Sequence, residues 1–236
     1  MIQQGLQNLV DACNRVMPKL DCIANNISNS HTAGYKAERL RFTLEPNLSG
    51  AVEATSPPQV VINFDQGMLE STGNELDMAL DGEGFFAIQT KNGIAYTRKG
   101  NFTLNHNNEL VMQNGDHLLG ESGIITITGT DIVVSKNGEI SVDGSIVGKT
   151  KIVKFDNPNQ LIKTGGCLFV DNGNAGLTNQ NEANVQYGYL ELSNVQGITE
   201  MLEMVNAQRI IEIYQKNIQN ITEQDKLATS RVGKVG

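Results

Sequence analysis

Residues 2–27, IQQGLQNLVDACNRVMPKLDCIANNI, place apolar side chains at Ile2, Leu6, Leu9, Cys13, Val16, Leu20, Ile23 and Ile27. The steps alternate four and three. That is the a and d seam of a heptad, a row that an under-wound helix turns toward a partner helix. As a helix, residues 1–30 span about 45 Å at about 1.5 Å per residue. Two residues work against a straight rod. Gly5 loosens the first turns. Pro18 lacks an amide proton and presses its ring on the Asn14 carbonyl, which costs about 3 kcal/mol in a helix interior. The reading predicts a kink or break between Asn14 and Pro18. It also predicts fraying at Asn25-Asn26-Ile27-Ser28-Asn29, where short polar side chains compete for backbone hydrogen bonds, and an end before Gly34.

The far end repeats the theme. Met204, Ala207, Ile211, Tyr214, Ile218 and Ile221 step by three and four, and Ile198, Met201, Leu202 and Val205 widen the stripe upstream. Ser193 or Asn194 suits an N-cap. Lys226, Arg231 and Lys234 suit the negative end of the helix dipole. One helix is expected from 195 to about 228.

Between the ends the period drops to two. Short β-branched and aromatic runs appear at Val60-Val61-Ile62, Phe85-Phe86-Ala87-Ile88, Ile124-Ile125-Thr126-Ile127, Ile132-Val133-Val134, Glu139-Ile140-Ser141-Val142, Ile152-Val153-Lys154-Phe155 and Tyr187-Gly188-Tyr189-Leu190. Asp81-Gly82, Asn92-Gly93, Asn114-Gly115, Asn137-Gly138, Asp143-Gly144 and Asn172-Gly173 punctuate them. Such dipeptides supply the two positive-φ positions of a type I′ hairpin turn. The segment with Pro46, Pro57 and Pro58 reads as extended. The expected plan is an N-terminal helix over 1–33, an extended linker over 34–64, a β domain over 65–192 and a C-terminal helix over 193–236. The fold class is α+β. The long N- and C-terminal helices pair as a coiled coil, and a central antiparallel β domain lies between them in sequence. Apolar surface left open by a two-helix pair implies helices from other molecules.

Composition removes several classes. Twenty-six acidic against 18 basic residues give a formal charge of −8 over 236 residues, so nothing is left over to neutralise nucleic-acid phosphates. No 18-residue apolar run predicts a membrane span. Cys13, Cys22 and Cys167 are odd in number and lack a Cys-x-x-Cys, which argues against a disulfide framework. The start of the chain has no positive n-region and no compact apolar core, so no cleaved signal peptide is expected. His31, His106 and His117 have no metal-ligand spacing. Asp81-Gly82-Glu83-Gly84 fits a tight turn better than a catalytic carboxylate pair. Asp171-Asn172-Gly173-Asn174 lacks the closing glutamate of a calcium loop. Neither an enzyme, a metal nor a cofactor is expected. A secreted polysaccharide-binding or polysaccharide-cleaving protein is the reading from another class, and the absence of tryptophan weighs against it.

Several phrases resemble bacterial flagellar rod and hook proteins. Ile23-Ala24-Asn25-Asn26-Ile27-Ser28-Asn29 followed by Thr32-Ala33-Gly34-Tyr35-Lys36 is similar to their N-terminal signature. Thr72-Gly73-Asn74-Glu75-Leu76-Asp77 through Phe86 resembles their central motif, and Tyr96-Thr97-Arg98-Lys99-Gly100-Asn101-Phe102 continues it. Gly188-Tyr189-Leu190-Glu191-Leu192-Ser193-Asn194-Val195, Glu200-Met201 and Ala207-Gln208-Arg209 resemble the C-terminal signature. The short stretch between Lys36 and Gly67, Gly148–Phe155 and the ending Arg231–Gly236 are most like the proximal rod type, with the distal rod protein as the alternative. Pro18, Ser28 and Ile210-Ile211 depart from the usual pattern.

The resemblance implies an axial structural subunit exported by the flagellar type III apparatus without a cleaved signal. It implies polymerisation with copies of itself and other axial proteins into a hollow, torque-transmitting shaft in the periplasm, with no membrane insertion. The seam residues Leu6, Leu9, Cys13, Val16, Leu20, Ile23, Ile27, Met204, Ala207, Ile211, Tyr214, Ile218 and Ile221, with the signature residues Asn25, Asn26 and Arg209, are then the expected assembly interface.

Overall fold

The computed structural model describes residues 2–41, 44–46, 52–54, 58–178 and 183–232. Pro57 and the terminal phrase from 233 to 236, with Lys234, lie outside them, as do the side chains of Ile2, Leu6 and Arg231. The chain divides into two compact units. One holds Met1–Ser28, Glu38–Ile62 and Gln196–Gly236, and the other holds Asn29–Ala37 and Asn63–Val195.

The first unit contains the α-helices among the described residues, α1 (Ile2–Ser28) and α2 (Gly197–Val232). The expected break at Pro18 is absent, and α1 runs through it. Proline removes one helical hydrogen bond, and the Asn14 residue that loses it is exposed to water. The stretch read as a linker carries strands. Glu38–Arg41 pairs antiparallel with Gln59–Ile62, and Leu44–Pro46 with Val52–Ala54.

The coiled coil is not formed. The helices do touch, and Lys19 Nζ reaches Glu203 Oε2 at 2.6 Å. A knobs-into-holes seam, however, would bury both rows along their length. Among the described apolar residues of α1 only Cys22 and Ile23 are buried, and in α2 only Ala207. Leu9, Cys13, Val16, Leu20, Met204, Ile211, Tyr214, Ile218 and Ile221 remain half-buried. The physical reason is that α2 is apolar on two sides, so a single partner helix cannot cover it.

The second unit is antiparallel β. Its main sheet runs in the order Ile162–Gly165, Leu168–Val170, Gly93–Thr97, Phe85–Thr90, His117–Gly120, Leu110–Val111, Thr103–Leu104, with Ile152–Phe155 also joined to Phe85–Thr90. A three-stranded meander follows, Ile132–Val134, Glu139–Val142 and Ser145–Lys149. Two ribbons close the unit: Met78–Asp81 with Asn184–Tyr187, and Leu69–Ser71 with Tyr189–Glu191. Successive strand residues point to opposite faces. Phe86 therefore packs edge-on against Phe102, at 5.5 Å between centroids, inside a core with Met78, Leu80, Ile88, Leu118 and Ile140. Its neighbour Phe85 instead joins Phe64, Phe155 and Phe169.

Only one of the six turn dipeptides has both residues at positive φ. Asp143 (50°) and Gly144 (80°) join Glu139–Val142 to Ser145–Lys149 as a type I′ turn. At the other five the glycine alone crosses over. At Asn92-Gly93 this is because Gly93 already pairs with Thr90, so the two-residue turn is Lys91-Asn92. Asp81-Gly82 does not join a hairpin, because the strands on its two sides pair elsewhere.

Candidate assembly surface

α1 turns one face inward. Leu9, Cys13, Val16, Leu20 and Ile27 are half-buried and Ile23 is 4% exposed, so these six predicted residues share one face of the helix. Leu6 continues their spacing. Asn25 is exposed. Asn26 has a different role. Its Nδ2 donates to the Glu38 carbonyl at 2.9 Å, and its Oδ1 accepts from the Glu38 N–H at 2.8 Å. A buried amide that satisfies both backbone groups of one residue fixes the first strand to the helix end. Asn26 is thus spent inside the chain.

α2 has two apolar rows. Met204, Ala207, Ile211, Tyr214, Ile218 and Ile221 form the more covered one, as their spacing suggests. The second consists of Ile198 (79% exposed), Met201 (56%), Leu202 (62%), Val205 (46%) and Ile213 (58%). Ile198, Leu202, Val205, Arg209 and Ile213 step by four, three, four and four, which places them on one side of a helix. The exposed Arg209 sits within this open row. The sequence pattern merged the upstream members of this row with the covered one and passed over Ile210 and Ile213. The signal was the second frame of apolar spacing through Arg209. Among the described residues no helix is long and apolar enough to cross a membrane.

The signature phrases fold the β unit. Asp77 accepts hydrogen bonds from the Thr72 hydroxyl at 2.7 Å and from Asn74 Nδ2 at 3.1 Å, closing the turn that leads into the core strand Met78–Asp81. Gly34 lies against the Lys99 backbone and Gly100 against that of Met78, and neither leaves room for a Cβ. Lys36, Arg98 and Glu191 are all buried and meet as ion pairs, with Lys36 Nζ 2.6 Å and Arg98 Nη1 3.2 Å from the Glu191 carboxylate. Burial holds Lys36 and Arg98 below their ordinary pKa values, against the opposing pull of the Glu191 charge. Burial likewise pushes the Cys167 thiol up, away from reactivity.

Comparison with known proteins agrees with these phrases. Residues 79–142 match the flagellar hook protein FlgE/F/G D1 domain, and residues 186–230 match the flagellar basal body rod FlgEFG protein C-terminal family. The chain is 34% identical over 227 residues to the flagellar basal-body rod protein FlgF of Caulobacter vibrioides, covering 92% of this chain and 93% of the relative. It is 32% identical over 259 residues to the flagellar basal-body rod protein FlgG of Bacillus subtilis, covering 95% and 96%. The flagellar basal-body rod protein FlgF of Mesorhizobium japonicum is 28% identical over 219 residues. A C-terminal helix with an open apolar row, a β unit built on the signature residues and relatives matched nearly end to end lead to one family: the chain belongs to the flagellar basal-body rod proteins, structural subunits of the rod.

Proposed function

We propose that this chain is a proximal-type rod subunit that polymerises with copies of itself and other axial proteins through the apolar rows of its terminal helices. The open row of α2 is the observation that carries this reading. Five large apolar side chains, each between 46% and 79% exposed, stand on one helix within 16 residues. A contiguous exposed apolar patch of this kind marks an interaction surface. A contact between different surfaces of like subunits does not close on itself, and it builds a helical filament. In this reading the rod is a hollow torque-transmitting shaft in the periplasm. The chain reaches it through the flagellar export apparatus without a cleaved signal, and it has no catalytic role.

Leu202→Asp tests the proposal. Leu202 is 62% exposed, so the substitution should shift the thermal midpoint of the isolated chain by about 2 °C or less. In a seam closed by a neighbour, the carboxylate is desolvated without a partner, which costs several kcal/mol. Cells carrying L202D should therefore lack the subunit in purified basal bodies and should not swim. Normal incorporation of L202D would overturn the proposal.

A further inference from the structure

The buried charges of the β unit join distant parts of the chain. Glu191 Oε1 accepts from Lys36 Nζ at 2.6 Å and from the Gly67 N–H at 2.9 Å, and its Oε2 accepts from Arg98 Nη1 at 3.2 Å. Lys36 Nζ also donates to the Asp65 carbonyl at 2.6 Å. Arg98 donates to the carbonyls of Leu80 and Gly82, lies 5.5 Å from the centre of the Phe85 ring, and keeps its Nε without a partner. The Glu191 carbonyl accepts from the Gly34 N–H at 2.7 Å. Next to this cluster, Asn194 Oδ1 accepts from the Ala37 N–H at 2.8 Å, its Nδ2 donates to the Asn63 carbonyl at 2.9 Å, and the Asn63 N–H donates to the Ala37 carbonyl. The ion pairs span 155 and 93 positions of sequence.

Two buried cations thus depend on one carboxylate. Arg98 follows directly on the core strand Gly93–Thr97, so the main sheet itself carries a charge that is neutralised from the C-terminal flank. An ion pair buried in this way adds little net stability over apolar packing of similar volume, but a buried ion without its partner costs several kcal/mol. A main sheet that closes before residue 191 arrives therefore leaves Arg98 without its carboxylate, and a 34–37 flank that docks alone buries Lys36 uncompensated.

We propose that the Lys36–Glu191–Arg98 cluster is a folding latch, which keeps the β unit open until its N-terminal flank at 34–37 and its C-terminal flank at 189–194 dock together. The latch acts on the order of assembly more than on final stability. It makes closure of the main sheet wait for the two ends of the unit, so a chain with only one flank available stays extended. This conclusion rests on the fold alone and does not depend on the rod subunit reading.

Refolding of the full chain from urea tests it, with pulse-labelled hydrogen exchange at the Phe85–Thr90 amides, at Gly34, and at Leu192, whose N–H donates to the Met68 carbonyl at 2.8 Å. In the unaltered chain all of these amides gain protection with one rate. Glu191→Gln keeps the shape and removes the charge, and it slows protection of Phe85–Thr90 by at least ~10-fold, because the missing interaction belongs to the step that closes the sheet. The neutral swap K36M/R98M/E191L folds, and its Phe85–Thr90 amides gain protection at least ~10-fold sooner than Gly34 and Leu192. An E191Q chain that refolds at the original rate and only unfolds faster overturns the latch. If E191Q does not reach the folded state, the neutral swap decides. Simultaneous protection of the strand, Gly34 and Leu192 in that chain overturns the latch, and so does its failure to fold, since the charges would then be supplying stability.

Discussion

Gly100→Ala separates close backbone approach from every other effect of a glycine. The Met78 N–H donates to the Gly100 carbonyl at 3.0 Å and the Phe102 N–H to the same oxygen at 3.1 Å. An alanine Cβ at position 100 would stand 2.7 Å from the carbonyl carbon of Met78 and closer still to its oxygen. Comfortable carbon contacts begin near ~3.5 Å, so the two segments must part, and Met78 and Phe102 are both only 1% exposed. Overpacking of this kind costs about 1–3 kcal/mol, and weakening the two hydrogen bonds adds about 1 kcal/mol. The stiffer unfolded chain gives back about 0.4–1 kcal/mol. The net loss is about 2 kcal/mol, or about 4–8 °C in the thermal midpoint for a chain of this size. Gly148→Ala is the control. Its Cβ would meet Ile125 carbons at 3.6 and 3.7 Å, which is ordinary contact, so only the unfolded-state gain remains. Thermal unfolding followed by tyrosine fluorescence reads the β unit, which holds Tyr35, Tyr96, Tyr187 and Tyr189 of the five tyrosines. If the two variants melt within about 2 °C of each other, the steric argument fails.

Two other perturbations probe the helical unit. Asn26→Ala removes both bonds to the Glu38 backbone and leaves buried groups unmatched, so the helical signal in far-UV circular dichroism should melt at about 2–3 kcal/mol less stability; an unchanged melt would show that the amide does not anchor the strand. The Glu203 carboxyl is held below its ordinary 4.5 by its hydrogen bond to Lys19 and then by the Lys19 charge. A depressed carboxylate contributes stability above its unfolded value and loses it as pH falls through the folded value. The small difference in urea midpoint between the unaltered chain and Glu203→Gln should therefore be present at pH 7, shrink in high salt and close below pH 4.5. A difference that persists in acid would assign it to packing.

The helices and the alternation of the β unit were legible because each writes its period locally. Leu9 to Ile27 and Met204 to Ile221 repeat every three and four residues, and Phe85 and Phe86 face opposite ways as a strand requires. Pairing was not legible. A helical wheel identifies the apolar residues of α2, but it does not say which row a neighbour within the chain will cover, and so Leu202 was merged with Met204. The turns show a similar limit. Asn-Gly marks a bend in each loop, yet only at Asp143-Gly144 do the flanking strands have the length and register that use both positive-φ positions. The charged cluster was the least visible. Nothing local in the sequence marks Lys36, Arg98 and Glu191 as buried partners, because they lie 93 and 155 positions apart. The signature phrases around them carried the resemblance before their physical role could be seen.

The hydrogen bonds among Ala37, Asn63 and Asn194 have an evolutionary consequence. Residues 63 and 194 are the two ends of the long insert that forms most of the β unit, and they are held side by side. A module whose entrance and exit coincide can be lengthened, shortened or exchanged without pulling on the segments that flank it. Divergence in the size and decoration of the β unit is then available to a lineage of such proteins at small cost.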